Sequence, residues 1–184
     1  MTTNYKINIK TNSIMEDKEP SIKPIAYTYG LYSALISIGI LVIMYVTNMD
    51  KSWTVSIVSI VLSIAIYFYG IKAFKEANGN LLSIGQAIKV GLAIAVIGGL
   101  ISAVYSYFHY EFIYPEFIDM QRETAYKQMV EANPNMTAEQ IEQSLGITNI
   151  FMNSTFFSLS SVIGSLIFGL IISVILGLFM RKDR

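Results

Sequence analysis

Four stretches of this chain, 25–47, 53–71, 86–110 and 156–180, are almost free of charge and contain no proline. A helix rises about 1.5 Å per residue and a bilayer's hydrocarbon core is about 30 Å thick, so about 20 apolar residues make one crossing. The stretches therefore predict an all-α integral membrane protein. Its four transmembrane helices form two antiparallel hairpins, and a small extracytoplasmic helical hairpin separates the third and fourth. The composition agrees: 53% of the 184 residues are hydrophobic, 14% are charged and the mean hydropathy is +0.51, too apolar for an ordinary soluble domain.

Small residues recur on single helical faces. Gly91, Ala95, Gly99 and Ala103 repeat every four residues in the third stretch, and Ser161, Ser165, Gly169, Ser173 and Gly177 do so in the fourth. Such rows let helix backbones approach closely in a membrane. They predict helix packing, either between these two spans or against a second copy of the chain. Ala26, Gly30 and Ala34 make a shorter row in the first span, and Ser56, Ser59 and Ser63 place hydroxyls in the second.

Charge sets the expected orientation. Ten of the 13 basic residues lie in the polar tail 1–24 (Lys6, Lys10, Lys18, Lys23), around the second loop (Lys72, Lys75, Lys89) or in the basic end 181–184 (Arg181, Lys182, Arg184). With four spans these segments share a side, leaving Lys51, Arg122 and Lys127 opposite, so both termini are expected in the cytoplasm and loop 111–155 outside it. The tail lacks an apolar run of signal-peptide length, so the first span is expected to stay as an anchor. Without cysteine there are no disulfides, thiolate metal sites or cysteine nucleophiles.

The connections carry turn and cap signals. Asn48 to Ser52 is short enough for a tight turn between spans, and Asn78-Gly79-Asn80 is a second turn signal. Pro115 should bend or stop the third span. The acidic stretch from Glu116 to Glu131 is helix-compatible and ends at Asn133-Pro134-Asn135. Thr137 to Gln140 reads as a capping box stapled by Met136 and Ile141, with Gly146 as the expected stop.

The segment 80–91 (NLLSIGQAIKVG), the 101–107 end of the third span (ISAVYSY) and 112–117 (FIYPEF) resemble a bacterial membrane family of unknown function, domain-of-unknown-function family 4199. The likeness covers about 25–180. It implies an inner-membrane location and a four-span fold, and it carries no activity.

Gln86 and Lys89 lie three apart near the start of the third span, a pair suited to a lipid headgroup or an anion. His109 and Glu111 read as interfacial polarity among tyrosines; a lone histidine lacks the partners of a zinc site. Glu116, Asp119 and Glu123 share a face that reads as solvated. No catalytic group, metal site or cofactor site is legible, and no nucleic-acid partner is implied. The expected function is a non-enzymatic membrane interaction or assembly module, with lipids, further copies of itself or other membrane proteins as partners. The alternative is a small oligomeric transporter or channel for a neutral or anionic substrate, since no carboxylate lies within a span.

Overall fold

The computed structural model describes residues 19–48 and 53–183. Most of the expected tail, most of the first turn and Arg184 lie outside the described residues. Six α-helices run in order: α1 (Lys23–Thr47), α2 (Trp53–Ala77), α3 (Ile84–Phe108), α4 (Glu116–Ala132), α5 (Ala138–Phe151) and α6 (Ser154–Met180). A π-helical turn, His109–Ile113, extends α3, and the described residues form no strand beyond one isolated bridge. Four segments are long and apolar enough to cross a membrane: α1, α2, α3 with its π turn, and α6.

Several helices outrun the apolar stretches that announced them, because a helix ends where its backbone is interrupted and not where its polarity changes. Past Ile71, α2 continues through Lys72 and Glu76, which pair at 3.8 Å, until Gly79 and Asn80 take φ of 64° and 63°. Ser83 caps α3, which begins at Ile84, two residues before the expected start at Gln86, and Asn153 caps α6 through the Phe156 amide. Pro24 sits in the first turn of α1, where its missing donor costs nothing. Ahead of Pro115, the Tyr114 amide reaches back to the His109 carbonyl at 2.7 Å, closing the wider π turn. Two features of the loop differ in outcome. Thr137 and Gln140 form the reciprocal capping box, but Gly146 lies inside α5 with an ordinary backbone and does not end it.

α3 is the axis of the bundle, more enclosed than any other span, with its most extensive contact on α6 and the next on α1. The α3–α6 seam is antiparallel and joins the two rows of small residues. A methyl added at Gly91 would overlap Ser173 Oγ and lie 2.7 Å from Ser173 Cβ; one at Gly169 would lie 2.8 Å from Ala95 Cβ, and one at Gly177 3.0 Å from Ala87 Cβ. Two α6 hydroxyls donate across this seam, Ser158 Oγ to the Ala103 carbonyl at 2.7 Å and Ser165 Oγ to the Ala95 carbonyl at 3.2 Å. The α1 row meets α3 on another side, where Gly30 and Gly98 approach so closely that a Cβ on Gly98 would lie 3.0 Å from the Gly30 carbonyl oxygen.

The core lies toward one end of the bundle. Tyr67, Ile71 and Phe74 from α2 pack with Ala87, Val90, Ile94 and Ala95 from α3, and Leu176 and Met180 of α6 close over them. At the same end Lys75 Nζ donates to the Met180 carbonyl at 2.7 Å, and Leu82 and Lys182 exchange backbone hydrogen bonds at 3.0 Å. The second loop and the C-terminal segment therefore meet here, beside Glu19 and Pro20; we call this the terminal end. The opposite, loop end carries α4 and α5. There α2 is less enclosed, and no residue from Trp53 to Ile66 is buried.

Candidate functional site

The unfilled space within the bundle follows from where α1 touches α3. The helices meet at Gly30 and Gly98, and again about four turns later, where the Tyr45 ring stands 5.4 Å from His109 and 4.9 Å from Tyr114. Between these contacts lies a crevice of about 230 Å³, closed on its third side by α6. Its lining includes three pairs of serines, each pair spaced by one helical turn: Ser33 and Ser37 on α1, Ser102 and Ser106 on α3, Ser161 and Ser165 on α6. Gly98 and Gly99 form its floor, Gly98 buried against Gly30 and Ser33 of α1 and Gly99 against Ser165 of α6.

α2 contributes nothing to this lining. On α3, Val90, Ile94, Gly98 and Ser102 follow one stripe at four-residue intervals. α2 covers the lower part of that stripe, α1 covers Gly98, and from Ser102 the stripe borders the crevice.

The lining holds no charged side chain. Ser37 Oγ donates to the Ser33 carbonyl at 3.0 Å, Ser161 Oγ to the Ser158 carbonyl at 2.7 Å, and Ser165 Oγ to the Val162 carbonyl at 2.8 Å as well as to Ala95. A hydroxyl held this way still offers its lone pairs, so the surface can accept as well as donate hydrogen bonds without ever presenting charge. That chemistry suits a neutral ligand or the backbone-rich face of another helix.

The aromatic cap of the crevice is denser than the sequence suggested. His109 is 1% exposed and stands within 5.6 Å, ring centre to ring centre, of Tyr45, Tyr105 and Tyr110. It is part of the interior, whereas Glu111 faces out. These two do not form the interfacial pair their spacing implied.

Gln86 and Lys89 do not converge either. The Gln86 side-chain carbonyl accepts from the Ser83 amide at 2.8 Å while Ser83 Oγ accepts from the Gln86 amide at 3.2 Å, a capping box that occupies Gln86. Gln86 also borders a polar cavity of about 570 Å³ at the terminal end, with Asn78 and Lys182, which Lys89 does not line. Lys89 is exposed on the outside of α3.

On α4, Asp119 pairs with Arg122 at 3.1 Å and Glu123 with Lys127 at 2.6 Å, so the acidic face is largely neutralised. The hydrogen bond and charge of Lys127 hold the Glu123 carboxyl below its ordinary range. Among the described residues no three His, Cys, Asp or Glu side chains cluster as metal ligands would.

The crevice serines on α1 and α3 escaped the sequence reading, which followed rows of three or more small residues; paired serines one turn apart were the available signal.

The model of the family described as Protein of unknown function (DUF4199) matches residues 28–182. The chain belongs to this family. No curated protein and no solved structure matches the chain. The DUF4199 match takes in all six crevice serines, the aromatic cap and both rows of the α3–α6 seam.

Proposed function

We propose that this DUF4199 protein is a non-enzymatic assembly module of the cytoplasmic (inner) membrane that seats a transmembrane helix of a partner, or of a second copy, in the serine crevice. One observation carries the reading. Within this chain, glycine opposite serine is the chemistry of a closed helix contact, as at Gly91 and Ser173, Gly99 and Ser165 or Gly98 and Ser33, and beyond the last two contacts the crevice lining continues with Ser37, Ser102, Ser106 and Ser161 around about 230 Å³ of unfilled space. Small residues and hydroxyls are what membrane helices use to associate, since lipid offers them no hydrophobic drive. The α3 and α6 rows meet each other along most of their length, and only their Gly99, Ser161 and Ser165 border the crevice. The basic terminal end faces the cytoplasm, where Lys89 reaches lipid headgroups.

The absence of native cysteine makes the test direct. Ser37→Cys and Ser106→Cys, carrying a short photo-crosslinker in native membranes, should each yield a discrete protein adduct, and Leu159→Cys on the lipid-facing side of α6 should not. Equal, diffuse labelling from all three sites would sink the proposal. Labelling of intact cells with an impermeant maleimide should reach Gln143→Cys and spare Asn12→Cys if the orientation is right.

The uncharged lining also favours a second reading, passage of a neutral solute. Uptake into proteoliposomes that is abolished by Ser102→Leu would place it first.

A further inference from the structure

The last helix of the loop, α5, carries two apolar faces and has a protein partner for only one. Ile141 and Leu145 point one way and are half-buried, toward α4. Ile147, Ile150 and Phe151 lie on a different side and are 61%, 67% and 47% exposed. No residue of α5 is buried.

The covalent chain says where this second face must be. Phe151 precedes the first residue of the membrane-crossing α6 by three positions, and the Phe151 ring meets the Phe156 ring of α6's opening turn at 5.1 Å. Ile147 is about one helical turn further along. The π turn that ends α3 lies at the same end of the antiparallel α3–α6 seam, and its Phe112 and Ile113 are 67% and 46% exposed. Five large apolar side chains thus gather at the level where α3 leaves the membrane region and α6 enters it. Toward its start α5 becomes polar on the same side, through Gln140 and Gln143.

We infer that the C-terminal half of α5 lies in the interfacial layer of the leaflet at the loop end, with Ile147, Ile150 and Phe151 among the upper acyl chains and its N-terminal half rising obliquely into water. The occupant of this face is lipid. It is apolar lipid in particular, because α5 contains no lysine or arginine and carries Glu139 and Glu142, so the attraction that basic interfacial helices feel for anionic headgroups has no counterpart here. Contact should persist at high salt and in zwitterionic bilayers. Functionally, this would pin the loop end of α6 against vertical movement and tie α4 to it through Arg122 Nε donating to the Met152 carbonyl at 3.1 Å.

Nitroxides placed one at a time at Ile147, Ile150, Phe151 and Glu142 of the full chain, reconstituted in phosphatidylcholine vesicles with and without phosphatidylglycerol, test this. Labels at 147, 150 and 151 should collide more often with oxygen than with a water-soluble nickel chelate, and the label at 142 should do the reverse. The pattern should not change with phosphatidylglycerol or salt. A label at Ile163 in α6 reports whether the bundle itself is inserted. In the doubly substituted Ile147→Glu, Ile150→Glu chain, the 151 label should move toward the nickel-accessible regime while the 163 label stays put. Nickel accessibility at 147 and 150 equal to that at 142 would overturn the inference. So would protection of 147, 150 and 151 from both reagents, which would mean protein and not lipid covers the face.

Discussion

Gly91 shows how much a single missing methyl matters in a bundle whose helices attract each other only by contact. Ser173 occupies the space a Cβ would need, and Ser173 is fully buried with its hydroxyl donating to the Gly169 carbonyl, so it has nowhere to turn. Gly91→Ala should therefore force the seam apart and cost about 1–3 kcal/mol, the usual penalty of overpacking. Gly39→Ala and Gly164→Ala, where a Cβ would meet nothing within 4 Å, should cost nothing and can gain a little helix propensity. Thermal unfolding of the three variants in one detergent decides it: equal midpoints would mean the seam tolerates the methyl. The row containing Gly91 was plain in the sequence because four-residue spacing is local. The facing row on α6 was equally plain, but their meeting was not, since one chain's pattern cannot say whether two rows meet each other or a second molecule. Gln86 has two candidate partners at one spacing. Its spacing from Lys89 and its spacing from Ser83 are both three, and the cap wins because an orphan amide at a helix start gains more from a neutral acceptor than an exposed lysine does.

Helix ends follow the same logic at the next scale. The sequence located the membrane helices through apolar runs, which is why α2 was cut short at Ile71 and α3 was begun at Gln86; the backbone signals, Gly79 with Asn80 and the Ser83 box, set the true limits. At Thr137 the same box was legible because no apolar run competed with it. Gly146 misled because glycine stops a helix only when the chain takes the left-handed conformation there; in mid-helix it merely weakens the element by about 1 kcal/mol relative to alanine. The Ser83 cap also sits beside the Leu82–Lys182 bridge, so it anchors the start of the axial helix to the end of the chain. Ser83→Ala should cost about 1 kcal/mol and speed hydrogen exchange at the amides of Gln86 and Ala87 while leaving those near Ala95 unchanged. Uniform acceleration along α3 would mean the cap contributes nothing local.

At the scale of the molecule the bundle is tight at one end and loose at the other. The buried aromatic and aliphatic side chains of α2, Tyr67, Ile71 and Phe74, all lie in its second half, whereas its first half from Trp53 to Leu62 has no buried residue. Nothing in the periodicity foretold this, because Ser56, Ser59 and Ser63 continue the same stripe as Tyr67 and a pattern cannot report where two helices diverge. Stability should divide accordingly. Phe74 is 0% exposed and packs against protein on every side, so Phe74→Ala leaves a cavity and should cost about 3 kcal/mol. Ile57 is 51% exposed on a half-helix with few protein neighbours, and lipid replaces its lost contacts, so Ile57→Ala should stay within about 0.5 kcal/mol. Reversible unfolding in mixed micelles measures both. If Ile57→Ala costs as much as Phe74→Ala, the first half of α2 packs against the bundle in the membrane, and the crevice between α1 and α6 is covered by the chain's own helix, leaving no seat for a partner.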